Sequence, residues 1–119
     1  MTTSYEIGQI SETTAAAYLQ KKGLTLTAKN FRCPCGEIDL IMKDQDYLVF
    51  VEVRFRKNQH YGNSIETISQ HKQSRLTRTA LYYLQQHSLL DKVNCRFDVL
   101  GLDADEKITW IRNAFEVKY

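Results

Sequence analysis

The sequence predicts an α/β fold, a mixed central sheet flanked by helices, with elements in the order αβββαββ. Three observations carry this. Residues Gly36 to Lys57 hold two segments rich in apolar and β-branched residues around a short polar turn, Asp44-Gln45-Asp46, the signature of a hairpin. Within the second segment, Leu48 to Val51 is apolar at every position, as in a strand buried on both faces. A helical stretch from about Ser69 to His87 then precedes a further strand, Asn94 to Gly101, so a right-handed parallel crossover is the expected link.

Thr3 and Glu6 have capping-box spacing, and a first helix is expected from about Glu6 to Lys22. Its apolar stripe is Ile10, Ala17 and Tyr18, interrupted by Thr14. Gly23 is its natural stop. Leu24 to Phe31 alternates in part and reads as the first strand. Asn30 to Gly36 reads as a turn, punctuated by the chain's only proline. After the hairpin comes a polar loop, Asn58 to Ser64, in which His60 reads as a surface histidine. In the second helix Leu76, Ala80, Tyr83, Leu84 and His87 form the apolar face, while Lys72, Arg75 and Thr79 form another stripe. Tyr82 and Tyr83 read as rim and core. Asp103 to Lys107 is a turn, and Lys107 to Arg112 is the last strand.

A chain of 119 residues is expected to form one domain, 1–119, with a core that needs no staples. No apolar run is long enough to span a membrane, and the first residues lack the pattern of a signal peptide, so the expected compartment is the cytoplasm. The three cysteines, Cys33, Cys35 and Cys95, are then expected to be reduced thiols. Cys33-Pro34-Cys35 falls short of zinc-site spacing, and its role stays open. Between Arg54 and Arg78, six Lys or Arg face one acid; this +5 segment leaves −3 for the rest of a chain whose net charge is +2. Such a patch suits a polyanion, and Arg75 and Arg78 read as phosphate contacts.

The hairpin carries the candidate chemistry. Glu37 and Asp39 share one face of the first strand, and Glu52 and Arg54 one face of the second. A two-residue loop at Gln45-Asp46 sets Asp39 directly opposite Glu52, with Cβ atoms about 5 Å apart. Facing carboxylates beside an apolar run call for a cation between them, and Mg²⁺, which takes one or two carboxylates and keeps several waters, fits. The bland alternative is the solvated face of a hairpin.

These same residues, Gly36-Glu-Ile-Asp-Leu-Ile and Val49-Phe-Val-Glu-Val-Arg-Phe-Arg, resemble the YraN family of bacterial proteins. The likeness extends over nearly the whole chain: Glu12-x-x-Ala-Ala-Ala-Tyr-Leu with Gly23, then Lys72 and Arg75, Arg96-Phe-Asp-Val, and Asn113-Ala-Phe. It implies a restriction-endonuclease-like three-layer fold, similar to archaeal-type Holliday-junction resolvases. It also implies a metal-dependent DNA endonuclease acting on branched or damaged DNA, working as a homodimer.

On that reading Asp39 and Glu52 hold Mg²⁺ or Mn²⁺, and Glu37 or Glu12 adds a further contact or a second metal; the resemblance alone brings Glu12 to the metal site. The family pattern asks for lysine two residues after the glutamate, where this chain has Arg54. Arginine cannot serve as a base but can bind phosphate through paired hydrogen bonds. Lys72 is the candidate for the missing amine. Arg54, Arg56, Lys57, Lys72, Arg75 and Arg78 make up the expected nucleic-acid-binding set. The rivals are a non-catalytic nucleic-acid-binding protein on the same fold and an assembly protein in DNA processing.

Overall fold

The computed structural model describes residues 3–56 and 68–116. The elements are α1 (Ser4–Lys21), β1 (Thr25–Cys33), β2 (Gly36–Asp44), β3 (Tyr47–Arg56), α2 (Gln70–Gln86), β4 (Asn94–Asp103) and β5 (Ile108–Phe115), the predicted order. They build a five-stranded sheet in the order β1-β2-β3-β4-β5. β3 and β4 pair parallel, as expected for strands with a helix between them in the chain, and the other neighbours pair antiparallel. α1 covers one face, over Leu40, Met42, Val49, Val51, Leu100 and Leu102. α2 covers the other, over Ile38, Ile41, Leu48, Phe50 and Phe97. These are three layers, and β3 is buried on both faces between them. Among the described residues no helix is long and apolar enough to cross a membrane.

Both helices start where their caps are written. Thr3 Oγ1 accepts the N–H of Glu6 at 3.1 Å, and Ser69 Oγ accepts that of Lys72 at 3.1 Å. Gly23, at φ 101°, takes the left-handed conformation just past α1. The buried side of α2 is Leu76, Thr79, Ala80, Tyr83 and Leu84. His87 is not in that face: it is the exposed C-cap, its ring 4.2 Å from that of Tyr83. Tyr83 is core and packs edge-on against Phe31 and Phe50, while Tyr82 is rim.

The buried side of α1 differs from the predicted stripe. It is Ser11, Glu12, Ala15, Ala16 and Leu19; Ile10 is 61% exposed and Ala17 is exposed. Tyr18 is half-buried, edge-on to Trp110. Small residues bring this helix close to the sheet, and the buried face includes a carboxylate that an apolar-periodicity rule passes over. β1 also runs further than expected. The expected strand ends at Phe31, yet Arg32 and Cys33, which composition places in the turn, continue it by pairing with Glu37 and Gly36, and only Pro34 and Cys35 remain as turn. Cross-strand pairing overrides composition here, and Asn30 accommodates a φ of 53°, which asparagine tolerates better than most residues.

The β2–β3 register is the predicted one, running from Asp44↔Tyr47 to Leu40↔Val51 around the Gln45-Asp46 turn. The ladder stops there. β2 stays paired with β1 as far as Gly36, and β3 with β4 as far as Arg56. A notch therefore opens between β2 and β3, just past Leu40 and Val51.

Candidate active site

The notch is lined by the acids of the hairpin. Asp39 Oδ2 accepts the N–H of Val53 at 2.9 Å, so a side chain takes the backbone donor that the ended ladder leaves without a strand partner. Glu52, 8% exposed, lies beside it. From the first turn of α2, Lys72 reaches Glu52 and forms an ion pair through Nζ and Oε2. Together with Gly36, Glu37, Arg75 and Thr79 these residues surround a cavity of about 210 Å³.

The electrostatics follow from crowding acids away from water. Burial, then the negative charge of Glu52, push the Asp39 carboxyl up to about 8, against the opposing N–H of Val53. A proton shared with Glu52 and the charge of Glu12 add to the rise. Glu12 comes from the other side of the sheet edge, on α1. Burial raises its carboxyl as well; Asn30 and Lys29 oppose the rise and Glu37 adds to it. Its Oε1 is buried with no hydrogen-bond partner among the described residues.

The structure thus brings together Asp39, Glu52 and Lys72, with Glu12 behind them and Arg75 on the wall. The helical stripe Lys72, Arg75 and Thr79 faces the cavity as one surface. Glu37 stands on the wall, partly exposed, with Oε1 3.5 Å from Arg32 Nε. Arg54, half-buried two residues past Glu52, is outside the cavity lining and pairs in the ladder with Gly101. Arg56 ends β3 opposite Asp103. Arg78 is exposed on a different side of α2, with Gln70, Ser74 and Glu116 around a separate groove. Lys57 and His60 lie outside the described residues.

Two features escaped the sequence reading. A Cβ on Gly36 would lie 3.1 Å from Thr79 Oγ1, so the glycine lets α2 close over the cavity; its place at the head of Gly-Glu-Ile-Asp was the available signal. The second is a buried polar knot at the other end of the sheet. Asp98, 1% exposed, accepts from Arg96 Nε at 3.1 Å, Trp110 Nε1 at 3.0 Å and the Asn113 N–H at 3.0 Å, and Arg96 also reaches Asp44 at 3.0 Å. The stretches Arg96-Phe-Asp-Val and Asn113-Ala-Phe are therefore structural.

A three-layer α/β fold with paired acids and a lysine in a notch of its mixed sheet is a restriction-endonuclease-like architecture. The model of the uncharacterised protein family UPF0102 matches residues 11–102, and the chain belongs to this family, the YraN family that the hairpin resembles. It is similar to a UPF0102 protein of Coxiella burnetii, 55% identical over 114 residues covering 96% of this chain and 95% of the relative. It is also similar to a UPF0102 protein of Nitrosococcus oceani, 44% identical with 93% and 92% covered. For Legionella pneumophila the identity is 41%, with 93% and 95% covered.

Proposed function

We propose that the protein is a metal-dependent DNA endonuclease whose catalytic cavity is built on Asp39, Glu52 and Lys72. The observation that carries this reading is the placement of a buried carboxylate, Glu52, a half-buried one, Asp39, and an ammonium in one notch, where loss of water and mutual repulsion make them costly to keep. Among the described residues no three of His, Cys, Asp and Glu form a ready cage for a metal. Paired carboxylates, one held protonated by the other, still fit a hard cation that takes the rest of its coordination from water and phosphate. Asp39 and Glu52 would hold Mg²⁺ or Mn²⁺, which polarises the phosphate and makes bound water more acidic.

The chain's own groups do the remainder. Asp39 is fixed by the Val53 N–H, so its other oxygen has one direction to present. Lys72 offsets the Glu52 charge and places a cation where charge builds on a phosphate. Arg75 extends from the same wall as a phosphate donor. Arg54 and Arg56, at the end of β3, contact the flanking backbone. Glu12 positions Asp39 from behind. Branched or damaged DNA as substrate, and a homodimer as the working form, rest on the family resemblance.

The test is cleavage of labelled four-way-junction, flap, single-stranded and linear duplex DNA, with Mg²⁺, with Mn²⁺ and with chelator. Cutting that needs the metal supports the reading and shows the preferred structure. DNA binding that weakens steeply with salt, without any cutting, instead makes the protein a non-catalytic nucleic-acid binder. The Lys72–Glu52 ion pair, which neutralises one of the two acids, is the observation on that side.

A further inference from the structure

Outside this chemistry the structure holds two nucleophiles that hydrolysis does not use, Cys33 and Cys35, on either side of Pro34 in the β1–β2 turn. We propose that this turn is an oxidation site, with Cys33 as the peroxide-reactive sulfur and Cys35 as its resolving thiol, closing to an intramolecular disulfide with a hydroperoxide as co-substrate.

The geometry supports a division of labour between the two. Both are free and half-buried, so a small oxidant can reach them. The Cys35 N–H donates to Cys33 Sγ at 3.3 Å. Burial pushes the Cys33 thiol up, but backbone hydrogen bonding in the turn outweighs it and the net shift is downward. Cys33 is thus the sulfur that a backbone N–H is placed to stabilise as it gives up its proton. Cys95, at the start of β4, is raised by burial alone and serves as an internal comparison. Residues two apart in a chain lie within about 7 Å, and a tight turn brings them into the Cα range a disulfide requires.

The chemistry balances without a further reagent. The Cys33 thiolate attacks one oxygen of the hydroperoxide, the O–O bond breaks, and the other oxygen leaves as alcohol with the proton Cys33 gave up. Cys33 is now a sulfenic acid. The Cys35 sulfur attacks it, the S–S bond forms, and the sulfenic hydroxyl leaves as water with the Cys35 proton. Two thiols are oxidised by two electrons and one O–O bond is reduced. None of this depends on the hydrolysis proposed above.

The test uses the full reduced chain with stoichiometric hydrogen peroxide, then alkylation, intact mass and peptide mapping. The wild type is expected to lose the mass of two hydrogens, to give a peptide with Cys33 linked to Cys35, and to keep Cys95 alkylatable. Cys35→Ser is expected to accumulate a dimedone-reactive sulfenic acid on Cys33, and Cys33→Ser to oxidise about tenfold more slowly. In the wild type, independent of any variant's folding, Cys33 should alkylate at lower pH than Cys95. Equal peroxide reactivity of Cys33 and Cys95, no intramolecular link, or the reverse alkylation order would overturn the assignment.

Discussion

Asp39 is held by one donor and pressed by two acids. The Val53 N–H fixes it, while burial and the charge of Glu52 lift its carboxyl from 3.8 to about 8. The sign of the consequence is set by linkage. The folded chain keeps a proton that the unfolded chain loses near pH 4, so the site's contribution to stability falls as pH rises from about 4 to about 8. Asp39→Asn keeps an acceptor for Val53 and removes the charge. In metal-free buffer it is expected to be more stable than wild type by about 1–3 kcal/mol at pH 8, with the gap closing toward pH 4. Urea midpoints for both proteins across that range check it, and a gap independent of pH would contradict it. Gly36 makes a second case at this scale. With a Cβ 3.1 Å from Thr79 Oγ1 and a backbone at φ 154°, Gly36→Ala is expected to cost about 1–3 kcal/mol and to narrow the cavity, read as a lowered melting temperature.

At the scale of elements, the caps and the knot decide where functional side chains stand. Ser69 Oγ holds the first turn of α2, the turn that carries Lys72. Ser69→Ala is expected to cost about 1 kcal/mol in thermal or denaturant unfolding. Asp98 ties β4 to β5 and, through Arg96, to the end of β2. Asp98→Ala leaves the Arg96 guanidinium with a lost partner in a largely buried place, and about 3–5 kcal/mol of destabilisation is expected in the same measurement. The hairpin register was legible in the sequence because a two-residue loop and an unbroken apolar run leave one pairing that buries both faces of β3. The apolar face of α2 was legible from its period, apart from His87. The buried face of α1 was not, since alanines and a carboxylate carry no apolar period, and Ile10 drew the stripe to the wrong side. The end of β1 was hidden because Asn, Arg and Cys are weak strand signals, and only pairing with β2 reveals them. Asp39, Glu52 and Lys72 were readable as candidates, but the stop of the β2–β3 ladder that makes room between them was not.

For the whole molecule, the two layers of helix do different work. α1 presses a buried carboxylate toward the notch from one side, while α2 brings the lysine and arginine from the other. β3, paired on one side with β2 and on the other with β4, carries Glu52 at the point where its two ladders part. The layout concentrates negative charge inside and positive charge at the mouth, the arrangement that a cation and a phosphate together would satisfy. The measurement that tests this most directly is single-turnover cleavage of the preferred DNA structure with Mg²⁺ by wild type, Asp39→Asn, Glu52→Gln and Lys72→Met, with DNA binding and melting temperature followed in parallel. Losses of about 100-fold or more in the two acid variants, and about tenfold or more in Lys72→Met, are expected with folding and binding retained. Cutting by Asp39→Asn and Glu52→Gln at the wild-type rate would contradict the account and move any catalysis away from this cavity.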